Sequence, residues 1–240
     1  MQKVALVVGA GEATGGAIAR RFAREGFTAC VTRRNADKLK PLVEQIETAG
    51  GRARAFGSDA RREDLVIELV QTIERDIGPI EVCAFNVGGN VRFPIREMTT
   101  RVYTKVWEMG ALAGLLVGRE VAKVMVPRHR GSIFFTGATA SLRGGKGFAA
   151  FAGAKHALRA LAQSMARELG PEGIHVAHVV IDGAIDTPFI RENFPERYAL
   201  KEKAGILDPE AIAEAYWQLH IQSRSAWTHE LDLRPWIENW

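Results

Sequence analysis

The chain has 240 residues, 47% hydrophobic and 25% charged, with a net charge of +4. That balance suits a globular protein of one-domain size and excludes a disordered or membrane-spanning chain. The positive charge is modest and scattered in pairs such as Arg33-Arg34 and Arg61-Arg62, which argues against a nucleic-acid surface. The first residues enter an apolar run with no signal-peptide pattern, and Cys30 and Cys83 fall within apolar strands. A reduced, cytoplasmic protein is expected, its cysteines serving as small core residues.

Strand-like runs are predicted at Val4–Val8, Thr28–Thr32, Arg52–Phe56, Glu81–Phe85, Ser132–Thr136 and His175–Ile181. Between them lie stretches of helical periodicity near 15–26, 35–49, 61–77, 100–126 and 150–169. Near-continuous apolar strands alternating with helices predict an α/β fold, a Rossmann-type doubly wound parallel sheet with helices on both faces. After Ile181 the alternation stops. Residues 182–207 read as a partly helical insertion, and Asp208-Pro209 then opens a helix, Asp208 as N-cap and Pro209 in its first turn. Glu230–Leu233 is a plausible last strand, which makes seven, in the order 3-2-1-4-5-6-7.

The first strand runs into Gly9-Ala10-Gly11-Glu12-Ala13-Thr14-Gly15-Gly16, followed by a helix expected to begin near Ala17. A strand, a glycine turn and a helix N-terminus make a pyrophosphate cradle. Glycine lets backbone N–H groups approach the anion, and the helix dipole favours negative charge.

At this point the chain resembles the short-chain dehydrogenase/reductase family, over nearly its whole length. The family's loop reads Thr-Gly-x-x-x-Gly-x-Gly. Here it spans Val8, Gly9, Gly11, Glu12, Ala13, Thr14 and Gly15, with Ala13 for the middle glycine. Asp59 and Ala60 follow the third strand, where the family places an Asp that bonds adenine. Asn86-Val87-Gly88 looks like its Asn-Ala-Gly. Asp182, Ile185 and Thr187 fall in a segment similar to its Pro-Gly-x-x-x-Thr beside the nicotinamide, with Asp for Pro. Read without the resemblance, Asp59 is a helix cap, Asn86 a turn residue and Thr187 an extended turn residue.

The resemblance implies a nicotinamide cofactor bound to a single domain spanning 1–240, with 182–207 as substrate lid. At the end of the second strand stand Thr32 and Arg33, not an acidic residue. Arg33 can offer a planar fork to a 2′-phosphate, which favours NADP over NAD, although Glu12 argues the other way. Arg34 reads as a solvated surface charge.

The family's catalytic set is where the chain departs. The family's Tyr-x-x-x-Lys is here Phe151 to Lys155, its Ser aligns with Ala138, and its Asn with Gly110. Only Lys155 remains of the four, and a missing general acid costs roughly 10²–10⁴ in rate. Thr139, Ser141, Arg143, Lys146, Asn90, Arg92, Tyr198 and His156 are candidates to refill the role. Arg92, Arg143 and Lys146 would suit an anionic substrate. Two functions follow. One is an NAD(P)-dependent oxidoreductase acting on a small carbonyl, hydroxyl, imine or enoyl compound. The other is a catalytically inactive NADP-binding sensor or scaffold. Family likeness also implies a homodimer or homotetramer. No metal, nucleic-acid or membrane partner is expected.

Overall fold

Val4–Val8 (β1) has no polar position, and all five residues are buried between layers of the fold. Thr28–Arg33 (β2), Arg52–Gly57 (β3), Ile80–Phe85 (β4), Gly131–Thr136 (β5), Ile174–Ile181 (β6) and Glu230–Leu233 (β7) share one sheet with it. Every neighbouring pair is parallel, and the order is β3-β2-β1-β4-β5-β6-β7. This is the expected Rossmann-type α/β sheet. The computed structural model describes residues 2–239; Met1 and Trp240, the two ends of the 1–240 reading, lie outside the described residues.

The helices run in chain order as α1 (Thr14–Arg24), α2 (Lys40–Thr48), α3 (Glu63–Asp76), α4 (Thr100–Trp107), α5 (Ala113–Met125), α6 (Ala149–Leu169), α7 (Pro188–Asn193), α8 (Pro195–Tyr198) and α9 (Pro209–His220). One face of the sheet is covered by α1, α2 and α9, with Phe22, Ile46 and Tyr216 in that core. The other is covered by α3, α5 and α6, through Ile73, Val121 and Leu158. Burying both faces is what keeps the central strands β1, β4, β5 and β6 mostly apolar. Asp208 caps α9 by accepting from Glu210 N–H, and Pro209 opens it, as the sequence suggested.

Three helical expectations need correction. α1 begins at Thr14 rather than near Ala17, because Ala13 already accepts the N–H of Ala17 at 2.9 Å. The 35–49 stretch starts as a 3₁₀ turn over Ala36–Leu39, capped by the Asn35 side chain; Pro41 sits in the first turn of the α-helix that follows. The 100–126 stretch is not one helix. A π-helical turn over Glu108–Leu112 separates α4 from α5.

The direction of winding reverses between β1 and β4, so a crevice opens at their carboxyl ends. Val8 pairs with both Thr32 and Phe85. The residues that follow these three strands therefore emerge side by side. Residues 182–207 leave the sheet as a loop whose stem is tied at both ends. Ile185 bridges Leu207, Asp186 N–H donates to Leu207 O, and Leu207 N–H donates to Ala184 O, both at 2.8 Å. The loop carries α7 and α8, where exposed Phe189 and Phe194 meet edge to face at 5.9 Å. Among the described residues no helix is long and apolar enough to cross a membrane.

Candidate active site

The turn from β1 into α1 is pressed against the loop after β4. Gly9 has φ +87°, and a Cβ there would come 2.6 Å from the Asn86 carbonyl oxygen. A Cβ on Gly15 would come 2.8 Å from Ala10 Cα and Gly9 O. Neither position admits a side chain. Asn86 Nδ2 donates to Gly9 O at 3.1 Å, so its amide ties β4 to the glycine turn. Ala13, at φ −92°, lies outside the left-handed region that favours glycine. No side chain caps α1.

Between the carboxyl ends of β1, β2 and β4 lies a cleft of about 300 Å³. Gly9, Gly11, Thr32, Arg33, Asp59, Ala60, Asn86, Val87 and Gly88 all line it. Glu12, Ala13, Thr14 and Gly15 lie in the adjoining turn and first helical turn, outside the cleft's walls. Arg34, read from sequence as a surface charge, is exposed but also lines the cleft, as do Arg61, Met109 and Ala113. In the sequence Arg61 reads only as part of a scattered basic pair. Its Nε and Nη2 hold both carboxylate oxygens of Asp59, at 2.9 and 2.5 Å, and its backbone N–H donates to Oδ1 at 3.1 Å. These bonds from Arg61 hold the Asp59 carboxyl below the usual range. The available signal was the two-residue spacing of Asp and Arg after a strand, where an Asp commonly folds back on the chain.

Lys155 is buried on α6, 3% exposed. Its ammonium donates to Thr136 O at 2.8 Å and Val87 O at 3.3 Å, bridging the ends of β5 and β4. Burial pushes its pKa down to about 8. Phe151, one helical turn earlier, packs into an apolar cluster with Val106, Ala138 and Met109. Gly110 lies in the π-helical turn, where a Cβ would come 2.9 Å from the Cβ of Ala154. The crossing of the two helices is closed too tightly there for an asparagine side chain without displacement of Ala154.

Asp182, Ile185 and Thr187 follow β6 on the far side of β5. Asp182 is 1% exposed and accepts from the Thr139 hydroxyl, with Arg143 Nη2 3.3–3.4 Å from both its oxygens. Thr187 caps α7, its hydroxyl accepting from Ile190 N–H at 3.1 Å. Ser141 Oγ accepts from the N–H of Ala138. His156 binds its own helix at Ala152 O, 2.8 Å away. Tyr198 lies beneath Lys201, 5.6 Å from its ammonium. Phe93 N–H donates to Gly147 O at 2.8 Å, which brings the loops bearing Arg92 and Lys146 together. Cys30 and Cys83 are buried in β2 and β4, and burial pushes both thiols up to about 12. At that value they are inert core residues.

A nucleotide-sized cleft at a topological switch point, above a glycine turn and a helix N-terminus, defines a dinucleotide-binding α/β protein. The family model for short chain dehydrogenases matches residues 3–197. The chain belongs to that family of oxidoreductases. It is similar to gluconate 5-dehydrogenase of Gluconobacter oxydans, 32% identical over 72% of this chain and 67% of that protein. A crystal structure of a short-chain dehydrogenase from Rhodopseudomonas palustris is 51% identical, with a TM-score of 0.84 over 98% of this chain and 99% of that one. A metagenomic short-chain oxidoreductase in complex with NADP is 24% identical, with a TM-score of 0.83 over 98% of each chain, a likeness that shows the fold alone.

Proposed function

We propose that the protein is an NADP-preferring oxidoreductase whose active site departs from the family pattern. The observation that carries this reading is the cleft at β1, β2 and β4, where three arginines converge and Gly9 and Gly15 leave no room for side chains. The residues present fit a dinucleotide. The N–H groups of the β1–α1 turn and α1 take the pyrophosphate. Arg33 and Arg34 hold a ribose 2′-phosphate, with Arg61 steadied beside them by Asp59. Thr32, Ala60, Asn86, Val87 and Gly88 wall the adenosine and its neighbouring phosphates. Lys155 exchanges its backbone partners for ribose hydroxyls. Asp182, Ile185 and Thr187 border the nicotinamide. When bound, the nicotinamide supplies or takes a hydride.

Phe151, Ala138 and Gly110 stand at the family's Tyr, Ser and Asn positions, so none of them moves a proton. They shape an apolar wall against the reacting carbon. The loop 182–207 closes over the substrate as a lid, its exposed Phe189 and Phe194 turned inward on closure. Arg143, Arg92 and Lys146 favour a small anionic substrate, and similarity to a gluconate dehydrogenase supports a hydroxy acid or its oxo acid. In this reading the protein is cytoplasmic and associates as a homodimer or homotetramer, which sedimentation tests directly.

The test is a panel of secondary alcohols, 2-hydroxy acids and their carbonyl partners, followed by nicotinamide absorbance with NADP(H) and NAD(H). Turnover on the acid members with NADP(H) is the expected result. Tight NADPH binding without turnover on any member would return the protein to a sensor or scaffold.

A further inference from the structure

Ala138 and Thr139 follow β5, and Asp182 follows β6, its immediate neighbour. The inner end of the cleft at Val87 is joined to the end of β5 by Lys155, which binds the carbonyls of Val87 and Thr136 together. Thr139 lies three residues beyond Thr136 and directly follows the vacated position Ala138. Its hydroxyl donates to Oδ1 of Asp182, so its lone pairs remain available as acceptors.

Asp182 is an unusual occupant of this place. A carboxylate 1% exposed is costly to bury without full pairing. Among the described residues its cationic partner is one nitrogen of Arg143 at 3.3–3.4 Å, on a side chain 42% exposed. The arrangement is a hydroxyl hydrogen-bonded to a buried carboxylate, with an exposed guanidinium leading out to solvent.

Resting on the oxidoreductase reading, we propose that Thr139 is the catalytic hydroxyl of this enzyme, with Asp182 as the positioning carboxylate that takes its proton. In alcohol oxidation the substrate O–H bond breaks and its proton passes to Thr139 Oγ1. The proton of Thr139 passes in the same event to Oδ1 of Asp182, so no free threonine alkoxide forms. The O–H bonding pair becomes the second C–O bond of the carbonyl, while the carbinol hydrogen leaves as hydride to a nicotinamide dinucleotide, the oxidant. The proton then leaves Asp182 to water beside Arg143. Carbonyl reduction runs the same relay backwards.

The experiment compares Thr139→Val, Thr139→Ser, Asp182→Asn and the double variant Thr139→Val with Asp182→Asn. kcat is read on the panel of secondary alcohols and 2-hydroxy acids with NADP⁺, NADPH affinity by calorimetry, and folding by melting temperature. Thr139→Val is expected to lose about 10²–10⁴ in kcat with NADPH affinity held within about threefold. Thr139→Ser is expected to recover at least about a tenth of the lost rate, and the double variant to be no slower than either single one. In the cofactor-free protein the Thr139 hydroxyl proton, protected by its bond to Asp182, gives a proton resonance lost in Thr139→Val and in Asp182→Asn. If Asp182→Asn fails to fold, Thr139→Val and Thr139→Ser carry the test. Undiminished kcat in Thr139→Val overturns the relay. NADPH binding with no turnover in the unaltered protein overturns the relay and leaves the cofactor cleft standing, whereas failure to bind NADPH overturns both.

Discussion

The Lys155 ammonium lies 5.9 Å from the centroid of the Phe151 ring, one turn away on the same side of α6. The ring gives a buried cation a polarisable face, and among the described residues the ammonium also donates to two backbone carbonyls. Burial is the cause that lowers the lysine to about 8.

Cofactor binding is therefore expected to depend on pH. Free Lys155 loses its proton as pH rises through about 8. The anionic dinucleotide favours the ammonium, so the bound state holds the proton to higher pH. Affinity is then full below about 8 and declines above it, by about tenfold between roughly pH 7 and 9. Calorimetry across this range checks it, and proton uptake on binding near pH 8 is the companion signature. Lys155→Met is expected to bind more weakly and with no pH dependence. A flat profile in the unaltered protein would separate Lys155 from the cofactor.

Phe151 is expected to behave as a packing residue. It is 9% exposed and shares its cluster with Val106, Ala138 and Met109. Phe151→Ala should cost about 3 kcal/mol, the lower end for a large-to-small change because the side chain reaches the surface of its cluster. In a chain of this size that is a fall of about 6–12 °C in melting temperature. A fall of less than about 2 °C would mean that the ring is already loose in its site.

Arg33 ends β2 and Arg34 follows it, and the proposed preference for NADP rests on this pair. Arg33→Ser is expected to weaken NADPH binding by about 10–100-fold through loss of charge-assisted bonds. NADH, which lacks the phosphate, should change by less than about threefold. Equal losses for both would show that Arg33 shapes the cleft rather than reading the phosphate.

Acid should destabilise the fold through two buried histidines. His178 on β6 donates Nδ1–H to Glu230 at 3.0 Å, and His220 on α9 meets the Ser132 hydroxyl at 2.9 Å. Burial pushes both down to about 4, outweighing the carboxylate beside His178. Unfolded histidine titrates near 6.5, so their contribution is whole above that value. It is lost as pH falls from about 6.5 through 4, on the order of 3 kcal/mol each. His220→Phe keeps the ring among Phe22, Phe27 and Trp217 and is expected to flatten the acid limb of melting temperature against pH. An unchanged acid limb would move the acid sensitivity elsewhere.

The sheet was legible because apolar strands announce themselves. Val4–Val8 and Glu230–Leu233 fall where the sequence places them, and β4, β5 and β6 each extend one residue earlier. The break at Glu108–Leu112 was not legible, since Gly110, Ala111 and Ala113 continue the small apolar pattern through it. It coincides with the close crossing of Gly110 on Ala154, a tertiary contact. The glycine turn, Asn86 and Lys155 were legible as motifs bound to fixed places in the sheet. Arg61 and the pairing of Thr139 with Asp182 were not, because each depends on where a side chain turns after the backbone is built. Asp182 could be noticed in the sequence only as a departure, an acidic residue where the family has proline.

The most direct measurement is calorimetric titration of the purified protein with NADPH and, separately, NADH. Micromolar NADPH binding with NADH at least about tenfold weaker is the expected result, since three arginines line the cleft and no acidic residue stands at the end of β2. No binding of either nucleotide would contradict the assignment of the cleft and remove the oxidoreductase reading with it.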